Sequence, residues 1–155
     1  METNLNAFMK PELKEEQTIT LPGIDAFKDD KGKPIPFILR KLSREKIAEI
    51  RENCTTRTIV KDHRTNRPMV SGNRIVYDEQ YDSDKAGREI MVECFVQPDL
   101  TSEKLRNFYG VQLNSELPDK LFQGKDFDYA NKCVLIACGL ADDETEDEVI
   151  KQVKN

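Results

Sequence analysis

The pattern of apolar and polar positions between residues 81 and 110 predicts two helices joined by a proline corner. Short polar side chains at positions 82–84 can cap a first helical turn. Apolar residues then recur at helical spacing as far as residue 96; they are Ala86, Ile90, Met91, Val92, Cys94, Phe95 and Val96. Pro98 lacks an N–H and disfavours a helical conformation at Gln97, so we expect it to end this helix. A shorter helix, capped at position 101 or 102, should end at Gly110.

Strict alternation of apolar and polar residues predicts a β-hairpin nearer the amino terminus. Residues 18–21 alternate, residues 28–32 form a strong turn signal, and residues 35–40 alternate again. Pro34 and Pro36 place part of the second strand at a sheet edge or before the paired region, because proline cannot donate to a ladder.

Helical spacing recurs in four further segments. Ser43 caps a helix whose apolar face holds Ile47, Ile50 and Cys54. After residue 110 we expect a short helix capped by Ser115 and ended by Gly124. The next helix, opened by Asp126 or Asp128, carries a wide apolar stripe formed by Tyr129, Ala130, Cys133, Val134, Ala137 and Cys138. Residues 145–148 fit a capping box that opens an acidic last helix.

Residues 55–80 are the least regular part of the chain, and a second hairpin and a long loop both fit them. The pattern as a whole predicts an α+β fold: a mainly helical single domain of about five helices with an N-terminal antiparallel β-hairpin. We divide the chain into an N-terminal arm (residues 1–16), a compact α+β domain (residues 17–140) and an acidic C-terminal helix or tail (residues 141–155).

Composition narrows the classes of protein that remain. A chain of 155 residues can bury a core without a metal or a disulfide. The net charge of −5 argues against general nucleic-acid binding, which needs a basic surface. No apolar run is long enough to span a bilayer and residues 1–10 have no signal-peptide core, so we expect a cytoplasmic protein without a membrane partner.

Candidate chemistry is sparse. The four cysteines form no Cys-x-x-Cys pair, and we interpret them as reduced, small core residues and not as zinc ligands. The only histidine, His63, lies in a turn with no nucleophile near it in sequence. There is no Gly-rich phosphate loop and no hydrolase or metalloprotease motif. We therefore predict no enzyme activity, no catalytic residue, no metal and no cofactor.

The order of the elements resembles a known family. An Asp-Asp-Lys-Gly turn leads into residues 34–37 and a Ser43-capped helix, and a long apolar helix leads into residues 96–100. Tyr109 and Gly110 follow, then a helix that ends near Gly124 and an acidic last helix. This arrangement is similar to that of the XkdN-like tail assembly chaperones of phages and prophages with contractile tails, and the likeness extends from Leu5 to Val153.

The resemblance implies a role in building a phage tail. It implies binding of the tape measure protein, and contact with the tail tube protein is a further expectation. It also implies similarity to chaperones made in a short and a frameshift-extended form. A small acidic protein with apolar helical surface could cover an aggregation-prone client and keep the pair soluble by charge.

We take the candidate client contacts from the two ends of the chain, and they are Leu5, Phe8, Val149, Ile150 and Val153. The alternative for these side chains is that they complete the fold. The alternative function is a structural tail component, such as a connector or completion subunit retained in the virion. A nucleic-acid regulator that uses the basic residues between 57 and 74 ranks third.

Overall fold

Residues 5–9 and 17–140 are described by a computed structural model of the chain. A three-stranded antiparallel sheet, in the order β1-β2-β7, forms one layer of the fold; its strands are β1 (Thr18–Leu21), β2 (Phe37–Arg40) and β7 (Phe95–Gln97). Strands β1 and β2 pair from Thr18 opposite Arg40 to Leu21 opposite Phe37. The predicted N-terminal hairpin is therefore confirmed.

The connection between β1 and β2 is held by its own turn and by a close backbone approach. The Asp29 carboxylate accepts hydrogen bonds from the backbone N–H groups of Lys31 and Lys33, which fixes the predicted turn. At the start of the connection, Gly23 lies against the backbone of Ile35, where a side chain would have no room. The chain therefore folds back tightly enough to place Ile35 beside the end of the sheet.

Two capped helices flank the central part of the chain. Helix α1 (Arg44–Asn53) begins at Ser43, whose hydroxyl accepts a hydrogen bond from the Lys46 N–H, as the sequence predicts. Helix α2 (Ser83–Cys94) begins at Asp82, whose carboxylate accepts from the Lys85 N–H. It buries Ala86, Met91, Val92 and Cys94 against the sheet and its neighbours.

The end of α2 corrects the prediction that the helix continues to residue 96. Phe95, Val96 and Gln97 form β7 and pair with β2, with Leu39 opposite Phe95 and Ile38 opposite Gln97. Pro98 holds the residue before it extended, and the open edge of β2 offers hydrogen-bond partners to that extended backbone. Pairing with β2 therefore replaces the last helical turn.

The remaining helices follow the predicted order with two corrections. Helix α3 (Glu103–Tyr109) is capped by Ser102 and ends at Gly110 in the left-handed conformation, as predicted. Ser115 does not cap α4 (Leu117–Leu121); it lies inside a 3-10 turn, Asn114–Glu116, that leads into it. Gly124 precedes α5 (Lys125–Ala137) directly, so this helix begins before Asp126, and both predicted opening acids lie in its first turn.

Residues 55–81 form a β-arm, which resolves the choice between a hairpin and a loop. Strand β3 (Thr55–Ile59) pairs with β6 (Tyr77–Tyr81) in perfect antiparallel register. Two short strands, β4 (Val70–Ser71) and β5 (Arg74–Ile75), pair near the tip. Almost every residue of the arm is exposed. Its root is tied to the domain where the Asp82 N–H donates to the Cys54 carbonyl.

The core lies between the sheet and helices α2, α4 and α5. Phe37 is its aromatic centre: its ring centroid lies 5.2 Å from that of Phe95 and 5.7 Å from that of Phe122. The predicted apolar stripe of α5 is buried along its whole length, and all four cysteines are buried and unpaired. The five α-helices and the antiparallel strand pairs found within residues 5–9 and 17–140 confirm the α+β fold class.

Candidate interaction surface

An apolar groove opens where the start of β2, the end of β7 and helix α3 meet. Its volume is about 370 Å³. Phe37 and Leu121 lie at its base as part of the core, while Pro98 closes one end after a cis Gln97–Pro98 peptide bond. The other side chains that line it are those of Phe27, Ile35, Pro36, Gln97, Leu105, Phe108 and Tyr109. Nine of the ten lining residues are hydrophobic or proline, so the groove favours an apolar occupant.

Gln97, the one lining residue that is neither hydrophobic nor proline, already makes a hydrogen bond within the protein. The Gln97 side-chain N–H donates a 2.8 Å hydrogen bond to the carbonyl oxygen of Pro36. An extended peptide would bring unpaired N–H and C=O groups into the groove, and leaving such groups unpaired is costly. A helix satisfies its backbone groups internally and presents only side chains. The groove therefore suits one face of a helix better than an extended segment.

Phe108 is the most prominent side chain of the groove. It lies in the last turn of helix α3, and 80% of its surface is exposed. Its ring packs edge-on against that of Tyr109, with centroids 5.0 Å apart, so the two rings form a rim on α3. An exposed phenylalanine beside a groove of this kind is typical of a surface that binds another molecule.

The side chains predicted to contact a client are only partly described. Leu5 and Phe8 lie in a short 3-10 helix, and 61% and 74% of their respective surfaces are exposed. Neither side chain is part of the core. Val149, Ile150 and Val153 lie outside the described residues, and so does the acidic last helix.

Sequence reasoning missed the groove itself. Its residues come from three separate stretches of the chain, around positions 27–37, 97–98 and 105–121, and only the fold brings them together. The one local signal was the consecutive pair Phe108 and Tyr109 on a short helix. Adjacent helical positions are about 100° apart, so on a short helix packed on one side a consecutive aromatic pair favours exposure of one ring.

A second, mixed-charge cleft lies at the amino-terminal end of α2. Arg88 forms a 2.8 Å ion pair with Asp119 there, and the Glu116 carboxylate accepts hydrogen bonds from the backbone N–H groups of Gln112 and Leu113. These contacts hold the 3-10 turn and α4 against α2. The groups are committed to structure, and we assign the cleft no chemistry.

The thiols are placed as core residues. Burial raises the pKa of the Cys54 thiol, and a 3.4 Å hydrogen bond to the Glu89 carboxylate raises it further. The pKa of the Cys94 thiol is also raised, by a hydrogen bond to Cys138 and by burial. Burial raises the pKa of Cys133 to about 12. These three thiols stay protonated at neutral pH and are poor nucleophiles. The hydrogen bond with Cys94 instead lowers the pKa of the fourth thiol, that of Cys138.

His63 is exposed in the turn at the tip of the β-arm, whereas Cys54 is buried at the root of the arm. The structure therefore does not bring the histidine and this thiol together with a shielded acid. Within residues 5–9 and 17–140, no group of three His, Cys, Asp or Glu side chains could hold a metal ion. No helix in the same residues is long and apolar enough to cross a membrane.

These features define an α+β protein whose main candidate site is an apolar binding surface. Comparison with known proteins identifies its family. The model of the family described as phage XkdN-like tail assembly chaperone proteins matches residues 5–154. The phage-like element PBSX protein XkdN of Bacillus subtilis (strain 168) is 30% identical over 142 residues, which cover 90% of this chain and 87% of that protein. The chain belongs to the XkdN-like phage tail assembly chaperone family.

Two further comparisons concern the protein YqbN. The protein YqbN of Bacillus subtilis (strain 168) is 26% identical over 146 residues, which cover 93% of this chain and 89% of YqbN. A crystal structure of the protein YqbN matches with a TM-score of 0.64 at 18% identity, and the match covers 90% of this chain and 97% of that one. The structural likeness shows that the two chains share a fold.

Proposed function

We propose that this protein binds the tape measure protein of its phage or prophage and keeps it soluble during tail tube assembly. The family assignment supports a role in tail assembly. The observation that carries the finer proposal is the apolar groove with Phe108 exposed at its rim. We place the complex in the cytoplasm of the host cell, where tails are assembled, and the tail tube protein is a second candidate partner.

The groove suits the client that the family implies. A tape measure protein is long, helical and partly apolar, so it exposes apolar helix faces until the tube encloses it. The groove accepts side chains from one helix face, and the side-chain N–H of Gln97, its one lining amide, already has a partner. Covering such a face removes apolar area from water, and each Å² buried stabilises the complex by about 25 cal/mol. The net charge of −5 would keep the complex soluble.

The ends of the chain add to the proposed binding surface. Leu5 and Phe8 are exposed and available to a client helix. Val149, Ile150 and Val153 complete the proposed set from the carboxy-terminal segment. In this arrangement the groove binds one helix face, and the two ends close over the remaining apolar surface of the client.

Co-expression with the tape measure protein of the same gene cluster tests the proposal. We expect the soluble fraction of the tape measure protein to rise several-fold with the wild-type chain and to fall again with Phe108→Asp. Leu113→Asp is the matched control, because Leu113 is also an exposed apolar residue but lies outside the groove. An unchanged soluble fraction with and without the wild-type chain would refute client binding.

Mass spectrometry of purified tails separates a chaperone from a structural subunit. A chaperone leaves before the particle is complete, so we expect no peptides of this chain in mature tails. A fixed copy number in the particles would instead establish the alternative, a connector or completion subunit.

A further inference from the structure

The paired strands of the β-arm (residues 55–81) expose side chains on both faces, and no core covers either face. Directly opposite residues on paired strands share a face. Ile59 and Tyr77 form one such pair, and Arg57 and Glu79, joined by a 2.8 Å ion pair, form the next on the same face. The other face carries Thr56, Thr58, Asp78 and Gln80, and beyond them the half-buried pair Val60 and Val76. The arm therefore exposes apolar side chains among polar ones, and the core of the domain covers neither.

Apolar exposure continues to the tip of the arm. Val70 and Ile75 lie opposite each other, and 60% and 44% of their respective surfaces are exposed. Met69 beside them is also exposed. The tip is held by backbone hydrogen bonds, among them those from the Met69 N–H to the Val60 carbonyl and from the Val76 N–H to the Met69 carbonyl. The apolar side chains are therefore displayed on an ordered turn.

The tip carries charge opposite in sign to that of the whole chain. Between Ile59 and Tyr77 there are four basic residues and one acid, a local charge of +3, whereas the chain carries −5. The basic residues are Lys61, Arg64, Arg67 and Arg74, and all four side chains are exposed. None of the four forms an ion pair with another residue in the described ranges 5–9 and 17–140. The arm tip thus combines apolar side chains with unneutralised positive charge.

We propose that the arm tip binds the acidic carboxy-terminal segment, residues 142–153, of a second copy of this chain. That segment has the complementary chemistry: six acids at positions 142–148, followed by Val149, Ile150 and Val153. In the absence of client, the acids would pair with the basic side chains of the tip, and Val149, Ile150 and Val153 would cover Met69, Val70 and Ile75 until a client takes up these three side chains. Reciprocal exchange of the two segments gives a closed, two-fold symmetric dimer.

The position of the acidic segment in the fold favours its binding to the arm of a second copy over its binding to the arm of its own chain. The segment follows α5, which ends at Ala137; the next residue, Cys138, contacts Cys94 at the end of α2. The arm is rooted at Asp82, at the beginning of α2. The 12 residues of α2 separate these points by about 18 Å, whereas the four residues from Cys138 to Asp142, where the acids begin, span at most about 14 Å. A second copy supplies the segment without this span.

Charge reversal and its rescue test the proposal by sedimentation equilibrium of the full chain, with no client present. We expect the wild-type chain to be dimeric at low salt. A triple arm variant should have a dimer dissociation constant at least about tenfold higher than that of the wild type. This variant carries Arg64→Glu, Arg67→Glu and Arg74→Glu. A triple tail variant should do the same; it carries Asp143→Lys, Glu144→Lys and Asp147→Lys. Combining both sets in one chain should restore the dimer, because the charges are again opposite.

The matched control is a variant with the same change in net charge at the other exposed basic turn, made by Lys28→Glu, Lys31→Glu and Lys33→Glu. It should remain dimeric. Raising the salt from about 0.1 M to about 1 M shortens the Debye length from about 10 Å to about 3 Å and should weaken the wild-type dimer. Circular dichroism checks that each variant is folded.

Three outcomes would overturn the proposal. A wild-type chain that is monomeric at every concentration tested would do so, as would equal dimer affinity in the arm variant and the lysine control. Salt-sensitive binding of labelled duplex DNA by the arm, without dimerisation, would assign the arm to nucleic acid. None of these results depends on the tape measure protein, so this proposal and the proposed function can fail independently.

Discussion

Gly23 is a position at which the absence of a side chain decides the packing. A Cβ atom built there would lie 1.8 Å from the carbonyl oxygen of Ile35, so the backbone would have to move. We expect Gly23→Ala to lower the free energy of unfolding by about 2 kcal/mol or more, measured by urea denaturation. Gly87→Ala is the control. Gly87 lies in α2 with open space around its Cβ position, so alanine should stabilise by up to about 1 kcal/mol. Equal effects at the two positions would contradict the close approach.

Cys133 connects burial to the pH dependence of stability. Its thiol has a pKa of about 12 in the folded chain, raised by burial from the ordinary value of 9.0. The unfolded thiol therefore ionises at lower pH than the folded one, so its contribution to stability is complete below pH 9 and is lost as the pH rises towards 12. We expect the free energy of unfolding to fall by about 1 kcal/mol between pH 8 and pH 10 on this account.

Urea denaturation of the wild type and of Cys133→Ala at both pH values isolates this effect. The alanine variant loses packing at either pH, but it should lose less stability than the wild type between them. Titrating groups that do not contact Cys133 contribute equally to the two proteins and cancel. An identical pH dependence in the two proteins would show that Cys133 ionises alike in the folded and unfolded chains.

At the scale of single elements, the helix caps show which helix boundaries the local sequence decides and which it does not. Ser43 and Asp82 each accept a hydrogen bond from the backbone N–H three residues later, at 3.1 Å in both cases. We expect Ser43→Ala and Asp82→Ala to cost about 1 kcal/mol each, measured by thermal or urea denaturation. Ser115→Ala should cost little, because Ser115 makes no capping bond in the structure. A loss at Ser115 equal to that at Ser43 would contradict the observed boundaries of α4.

The end of α2 shows why some element boundaries could not be predicted. Apart from Glu93, residues 90–96 are apolar at a spacing that suits a helix, and nothing local distinguishes Phe95 from Met91. Strand pairing with β2 decides the outcome, since Leu39 lies 56 positions away in sequence from its partner Phe95. Such a contact exists only after the hairpin and α2 have packed together.

At the scale of the molecule, we expect the domain to keep its stability without the β-arm. No residue from 56 to 80 is buried, so the arm contributes little to the core. We expect a chain in which residues 57–79 are replaced by an Asn-Gly hairpin turn to unfold within about 4 °C of the wild type. Differential scanning calorimetry measures the transition. A loss of cooperative unfolding would show that the arm is needed to hold α1 and α2 in place.

The groove is likewise a property of the whole molecule. Phe37 belongs to the core and Phe108 is exposed, yet both line it. The sequence placed Phe108 on a short helix but could not place that helix beside Ile35 and Pro98, because this arrangement depends on the sheet order β1-β2-β7.

The sequence by itself determined the types and order of most elements, the caps of α1 and α3, the buried stripe of α5 and the family. These features depend on periodicity, turn chemistry and residues close together in the chain, where side-chain preferences act directly. Tertiary structure alone decided three features: the strand conformation of residues 95–97, the solvent exposure of the β-arm and the groove beside Phe108. Each of these depends on contacts between distant segments, and no local preference encodes such contacts.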